Sequence, residues 1–359
     1  MFPTQKFLSR SKLSVLTLAS CLVWSVALSA STVTDDLNRT VEVSDTVNRT
    51  VVADIYPLAG SLALFLGGPE KIVGIHPVSM AAVKGRLLGE LWPEMTKIDT
   101  SFMKGSEINV ESLLALKPDV VFVNANNRNL IKRLDALGIA ALAVSTNKKN
   151  YDVLATFEDW MKILQSVWPD KKIAHAAKIE TDAIVKLVKD RTASLKTKKR
   201  IFFLVNYDAR RIVTSGRRFF GQYWADMINA VNVAQSITAE SANAVVNMEQ
   251  VYTFDPDVIF ITNFTKAAPQ TLYGNELNDW SSVKAVRDKA VYKMPLGIYR
   301  SYTPAADSPL TLLWLAKTTY PELFADIDMV ARAKDFYQNV FGIALTDEQA
   351  HSLYGQQAK

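Results

Sequence analysis

Cysteine and histidine are nearly absent from this 359-residue chain: one Cys, Cys21, and three His, His76, His175 and His351. There is no CxxC, HxxxH or HxH spacing, so a preformed zinc or redox centre is excluded, and a lone cysteine forms no internal disulfide. The sequence also has no GxSxG elbow and no GxxxxGK[ST] loop, which removes the commonest nucleophile and phosphate-loop chemistries. "TSGRRFFG" has too few glycines for a nucleotide fingerprint, and the Asp35-Asp36 pair reads as a solvated surface pair. An exported α/β hydrolase would need a serine or cysteine with a paired base, and none stands out. An enzyme is therefore not expected.

Long apolar runs are missing everywhere except at the start, where Lys6, Arg10 and Lys12 precede "LSVLTLASCLVWSVALSA". That is a secretory signal over residues 1–30, too short and poorly flanked to span a bilayer. Its three cations supply three of the formal +5, leaving +2 for the rest, so the basic pI of 9.0 does not argue for nucleic acid. "LASC" offers Cys21 as a lipidated first residue. Apolar sequence continues past it, however, which favours cleavage near Ala27–Ala30 and an extracytoplasmic product without an anchor.

What is present is an alternation of helix and short apolar strand. "SLALFLGGPEKIVGIHP" reads as a helix stopped by Gly67-Gly68 and then a strand, Ile72–Ile75. "NVESLLALKPDVVFV" reads as a helix broken at Pro118 and then a continuous β-branched strand. Near-identical wording, "NMEQVYTFDPDVIFI", returns from Asn247 to Ile261. Between the two copies, residues 151–199 are helical almost throughout, interrupted at Trp168-Pro169-Asp170. Asp170 is expected to cap a helix whose stripe includes Ile173, Ala177, Ile179, Ala183, Ile184 and Val188, and "KTKKR" is expected to be its solvated basic end. The fold class is α/β: two similar lobes, mainly parallel sheets, joined by one long helix. The divisions expected are 31–150 for the first lobe, 151–199 for the helical link, 200–303 for the second lobe and 304–359 for C-terminal helices.

In open α/β sheets, ligands gather beyond the strand ends. The first lobe places Tyr56, His76, Asn126 and Arg128 there. The second places Tyr207, Arg210, Arg211, Arg217, Arg218, Asn263, Tyr299, Arg300 and Tyr302. Guanidinium forks and phenols suit an anionic, oxygen-rich ligand. Few acids lie near these ends, which argues against a naked cation.

"TDDLNRTVEV…VNRTVVAD", the two copies of the repeat, and "GIYRSYTPAADSPLTLLWLAKTTYPELFADID" together resemble the periplasmic substrate-binding proteins of ATP-binding-cassette (ABC) importers. The resemblance is to the class III, helical-backbone type, the cluster carrying ferric siderophores, haem, cobalamin and some oxyanions. It implies a monomeric receptor that needs no cofactor and binds a small ligand between its lobes. Its partners would be a permease and an ATPase. It also implies permease-docking roles for Glu111 and Glu249, which otherwise read as acids favouring a helix N-terminus. An anionic ferric chelate, most simply a siderophore, is the expected ligand. Molybdate or tungstate, a corrinoid and haem are the alternatives.

Overall fold

The computed structural model describes residues 1–3, 30–104 and 107–355. The signal and Cys21 lie outside the described residues. An antiparallel hairpin, Ala30–Thr34 with Thr40–Ser44, opens the body. It leads into a four-stranded parallel sheet ordered Ile72–Ile75, Thr50–Val52, Val120–Asn124, Ala140–Val144. The second sheet centres on Arg200–Asp208. Val258–Ile261 and then Val291–Lys293 run parallel on one side of it, and Val231–Asn232 pairs at its start. On its other side Arg211–Thr214 runs antiparallel to it, and Ala244–Val246 antiparallel to Arg211–Thr214 in turn, so the second lobe is mixed where the first is purely parallel.

The repeated sentence builds the same joint in each lobe. Asn109 and Asn247 cap helices Val110–Ala115 and Met248–Phe254, each side chain accepting the backbone N–H three residues on at 2.9 Å. After the proline, Asp119 accepts the Arg49 N–H and Asp257 the Arg200 N–H, both at 2.8 Å, which pins the start of the neighbouring strand. The two arginines return the grip. Arg49 Nε bonds the Leu116 carbonyl at 2.9 Å, and an Arg200 terminal nitrogen bonds the Phe254 carbonyl at 2.8 Å, each closing a helix C-terminus.

Strand residues alternate between two destinations, as the pleat requires. Val52, Phe122 and Leu142 of the first sheet and Phe203, Val205 and Phe260 of the second face inward into one apolar cluster. Val51, Val121 and Ala143 form a separate outer cluster, and Phe202, Leu204 and Ile259 another. The shared core is filled by helices Tyr56–Leu66, Val153–Val167, Ile173–Thr192, Ser308–Thr319 and Met329–Phe341. Tyr56–Leu66 and Ser308–Thr319 are buried on nearly every side, which accounts for their lack of a polar face. Moving one lobe against the other would shear this packing, so the architecture favours small displacements. Among the described residues, no helix is long and apolar enough to cross a membrane.

Four expectations are corrected here. The linking helix, 20 residues and about 30 Å long, begins after Lys172. Neither Asp170 nor any other side chain caps it. It buries Ala177, Ile184, Val188 and Thr192, whereas Ile179 and Ala183 turn to solvent because the packed face is set by the C-terminal helices as well as by its own stripe. "KTKKR" lies past the end of this helix and runs into the second lobe's central strand. Asp35 and Asp36 are buried rather than solvated. Asp35 pairs with Arg39 at 2.7 Å and accepts the Ala143 N–H, while Asp36 accepts the Ser145 N–H at 2.8 Å. The pair fastens the opening hairpin to the edge strand. Burial raises the Asp36 pKa against the pull of Ser145 and Lys148.

Candidate functional site

The strand ends of the two lobes meet where Tyr56 begins its helix. Tyr56, one turn beyond strand Thr50–Val52, and His76, directly after strand Ile72–Ile75, lie with ring centroids 4.4 Å apart. His76 caps helix Pro77–Val83: its Nδ1 accepts the Val78 N–H at 3.0 Å, which leaves the proton on Nε2. Burial lowers its pKa, with Asp54 pulling the other way, so the ring is a neutral donor. Asp54 and Asn127 brace this corner, at the point where the strand order reverses. The Asp54 carboxylate accepts the Asn124 N–H at 2.5 Å and the Asn127 side-chain amide at 2.7 Å. A recess of about 440 Å³ opens beside them, lined by Asp54, Tyr56, His76, Glu107, Asn127 and Arg133.

The second lobe answers with the turn Gly297–Thr303. It packs on the Tyr56–Leu66 helix at Gly60, where an added Cβ would meet the Ile298 side chain at 3.5 Å and Leu88 at 2.8 Å. Tyr299 is only 4% exposed, and burial pushes its pKa up to about 12. It lies near enough to Tyr56 for that phenol to oppose its ionisation. Arg300 follows with φ of +83°, a left-handed value unusual for a side-chain-bearing residue. Its guanidinium lies over the rings of Phe264 at 4.7 Å and Tyr299 at 5.5 Å. It is half-buried, and no carboxylate pairs with it among the described residues.

The loop carrying Phe264 is held in turn. Lys293 donates to the carbonyls of Thr262, Thr265 and Ala267 at 2.9, 2.7 and 2.8 Å, and Asn263 bonds the Met294 and Pro295 carbonyls. Burial lowers the Lys293 pKa to about 8, so at neutral pH the ammonium remains charged.

Of the residues expected at the site, Tyr56, His76, Tyr299 and Arg300 come together. Asn126 and Arg128 are exposed on the first-lobe rim, and Arg217 is exposed with Nε on the Gln235 carbonyl. Arg218 is paired with Glu240, and Arg210 and Arg211 sit at the tip of the long hairpin, Arg211 beside Asp208. Two tyrosines are corrected. Tyr207 belongs to the outer core, its hydroxyl donating to Asn278 and accepting from Trp280 at 2.9 Å each. Tyr302 is fully buried among Phe203, Phe219 and Phe220, and its hydroxyl accepts the Gly221 N–H at 2.9 Å. Neither presents a polar atom to a ligand. The expectation of few acids at the strand ends missed Asp54, whose only sequence signal is its place directly after "TVVA". Phe264 is unmarked for the same reason: it is one residue in a short polar loop.

Behind the turn, Asp307 is fully buried, and burial pushes its pKa up to about 6. The native state therefore holds this proton more tightly than the unfolded chain does. The stability so gained is complete below the unfolded value of 3.8 and is lost as pH rises through about 6. The other ionisable groups facing it are the phenols of Tyr337 and Tyr354, which stay neutral in this range. Measured by denaturant titration, the stability of Asp307→Asn relative to wild type is expected to grow by about 1 kcal/mol between pH 5 and pH 7.5. A difference independent of pH would show that Asp307 does not titrate there.

Glu111 and Glu249 are both exposed and both second in their helices, and neither forms an ion pair among the described residues. The asparagines do the capping, so the glutamates are not needed for it.

The sequence pattern of the Periplasmic binding protein family matches residues 56–296. The chain is 29% identical to the molybdate-binding protein MolA of Haemophilus influenzae over 93% of this chain and 98% of that protein. The Fe(3+)-citrate-binding protein YfmC of Bacillus subtilis is 26% identical over 54% of this chain and 58% of its own length. Among solved structures, a periplasmic solute-binding protein from Veillonella parvula superposes with a TM-score of 0.81 at 26% identity, covering 91% of this chain and 97% of that one. MolA with molybdate bound superposes at 0.72 and 23% identity, covering 88% and 99%. With a family match across most of the chain and a two-lobed α/β fold, this chain belongs to the periplasmic binding protein family, as the solute-binding component of an ABC importer and not an enzyme.

Proposed function

We propose that the protein captures a small tetrahedral oxyanion of the molybdate class between its lobes and presents it to the importer's permease. The observation that carries this reading is the Arg300 guanidinium, stacked on Phe264 and Tyr299 and left without a carboxylate partner among the described residues. An unpaired, half-buried cation favours an anion brought from outside. The groups around it are neutral donors, Tyr56, Tyr299 and His76 Nε2, which can satisfy oxyanion oxygens without adding charge. The Arg300 guanidinium with these neutral donors, and Arg133 on the adjoining recess, suits a compact dianion better than a bulky, highly charged chelate. The full-length relative named as molybdate-binding supports the same choice.

A second reading, the ferric chelate expected from the sequence, rests on the 440 Å³ recess beside His76, which is far larger than a single oxyanion. Titrating the purified protein with molybdate, sulfate and ferric citrate while following tryptophan fluorescence separates the two. Saturable quenching by molybdate alone supports the oxyanion, and a response only to ferric citrate replaces it with the chelate. Delivery is assigned to Glu111 and Glu249, one on each lobe, docking a monomeric receptor on the permease.

A further inference from the structure

We propose that Asp307 is a positioning residue for the ligand: it holds the turn Gly297–Arg300 in its binding shape and ties that turn to the C-terminal segment through Tyr354. The proposal rests on the reading of Tyr299 and Arg300 as ligand contacts. Asp307 Oδ2 accepts the Ile298 N–H at 3.1 Å and the Tyr354 hydroxyl at 3.0 Å. That hydroxyl also lies 3.0 Å from the Asp307 carbonyl and 3.2 Å from Thr311 Oγ1. Gly297 has φ of +57°, and a Cβ there would stand 2.4 Å from Oδ2, so the turn's backbone lies directly against the carboxylate. Oδ1 has no hydrogen-bond partner among the described residues.

A buried carboxylate with one oxygen unpartnered is destabilising, and a neutral acceptor could make the same two bonds more cheaply. What the aspartate adds is a charge-assisted bond to the amide that precedes Tyr299 and Arg300. Arg300 needs that restraint. Its left-handed φ is a conformation a non-glycine residue keeps only when its surroundings impose it. Within the turn, Arg300 N–H bonds the Leu296 carbonyl at 2.9 Å, and the Arg300 carbonyl accepts from Thr303 at 3.1 Å. The Ile298 bond anchors the Gly297–Arg300 side of this loop to the core, while Tyr302 anchors the far side, its carbonyl accepting the Trp224 Nε1–H at 3.0 Å and its hydroxyl the Gly221 N–H at 2.9 Å. Released from the Ile298 bond, Arg300 would relax toward ordinary backbone values and carry its guanidinium off Phe264. Tyr354 lies in the turn His351–Gly355, so this C-terminal segment reaches the binding loop through one hydroxyl.

The test compares wild type with Asp307→Ala, Asp307→Asn and Tyr354→Phe by amide hydrogen exchange without ligand and by calorimetric titration with sodium molybdate. Expected in Asp307→Ala is at least a 10-fold faster exchange at Ile298, with the Arg200–Asp208 strand unchanged, and at least a 10-fold weaker molybdate affinity. Asp307→Asn keeps an acceptor oxygen and is expected to recover most of both, and Tyr354→Phe to fall between. Unchanged exchange at Ile298, or faster exchange spread evenly over the second lobe, would overturn the proposal. Faster exchange with unaltered affinity would overturn it as well. If Asp307→Ala does not fold, the comparison of Tyr354→Phe with Asp307→Asn decides in the same way. Should wild type bind no molybdate while exchange at Ile298 responds as expected, the ligand assignment fails and the hold on the turn stands.

Discussion

Replacing Arg300 with glycine is expected to weaken ligand binding at least 100-fold while leaving stability within about 1 kcal/mol of wild type. The binding loss follows from removing the unpaired guanidinium that lies over Tyr299, next to Tyr56. Truncating one partner of a desolvated charge pair costs about 2–5 kcal/mol. Stability is nearly unchanged because two effects oppose each other. Arginine at φ of +83° bears strain of about 1–2 kcal/mol that glycine does not. Against this, glycine forfeits the stacking on Phe264 and Tyr299, worth about 1 kcal/mol, and makes the unfolded chain more flexible. Arg300→Lys keeps the charge without the planar fork and should fall between in affinity. Thermal denaturation and calorimetry on the same samples check both halves. Intact binding would remove Arg300 from the site, and a large loss of stability would make it a structural residue.

Replacing Glu111 and Glu249 together with glutamine is expected to abolish uptake and leave ligand affinity unaltered. Both carboxylates are exposed and neither is spent on an internal ion pair among the described residues. Asn109 and Asn247 already cap their helices, so the change removes only a favourable interaction with each helix dipole, a few tenths of a kcal/mol. In the proposed docking role, these two matched charges, one per lobe, meet a permease that touches both lobes at once. Transport of radiolabelled ligand in cells carrying the double variant should drop at least 10-fold, with each single change intermediate. Normal transport with both glutamates removed would end the docking assignment.

Local patterns were legible where one residue decides a local outcome. The asparagine before each repeat helix caps it, the proline ends the first of them, and the β-branched run that follows is a buried strand. That signal was enough to read two lobes and a link. The site was harder, because Tyr299 and Tyr302 are three residues apart in a segment with no periodicity, and one lies under Arg300 near Tyr56 while the other fills the core. Which way an irregular turn faces depends on what it packs against, here Asp307 behind it and Gly60 across from it. Asp35 and Asp36 misled for a related reason, since the backbone amides of Ala143 and Ser145 that justify their burial are more than a hundred residues away. Tyr207 is expected past a strand end, but the strand Arg200–Asp208 runs through it into the hairpin with Arg211–Thr214 and turns its side chain to the outer core of the lobe.

The most direct measurement is a calorimetric titration of sodium molybdate into the purified protein, repeated with Tyr56→Phe from one lobe and Arg300→Gly from the other. Expected is a single saturable site per chain, weakened by the first change and lost with the second. No molybdate binding alongside tight binding of ferric citrate, or molybdate binding indifferent to both substitutions, would contradict an oxyanion held between the lobes.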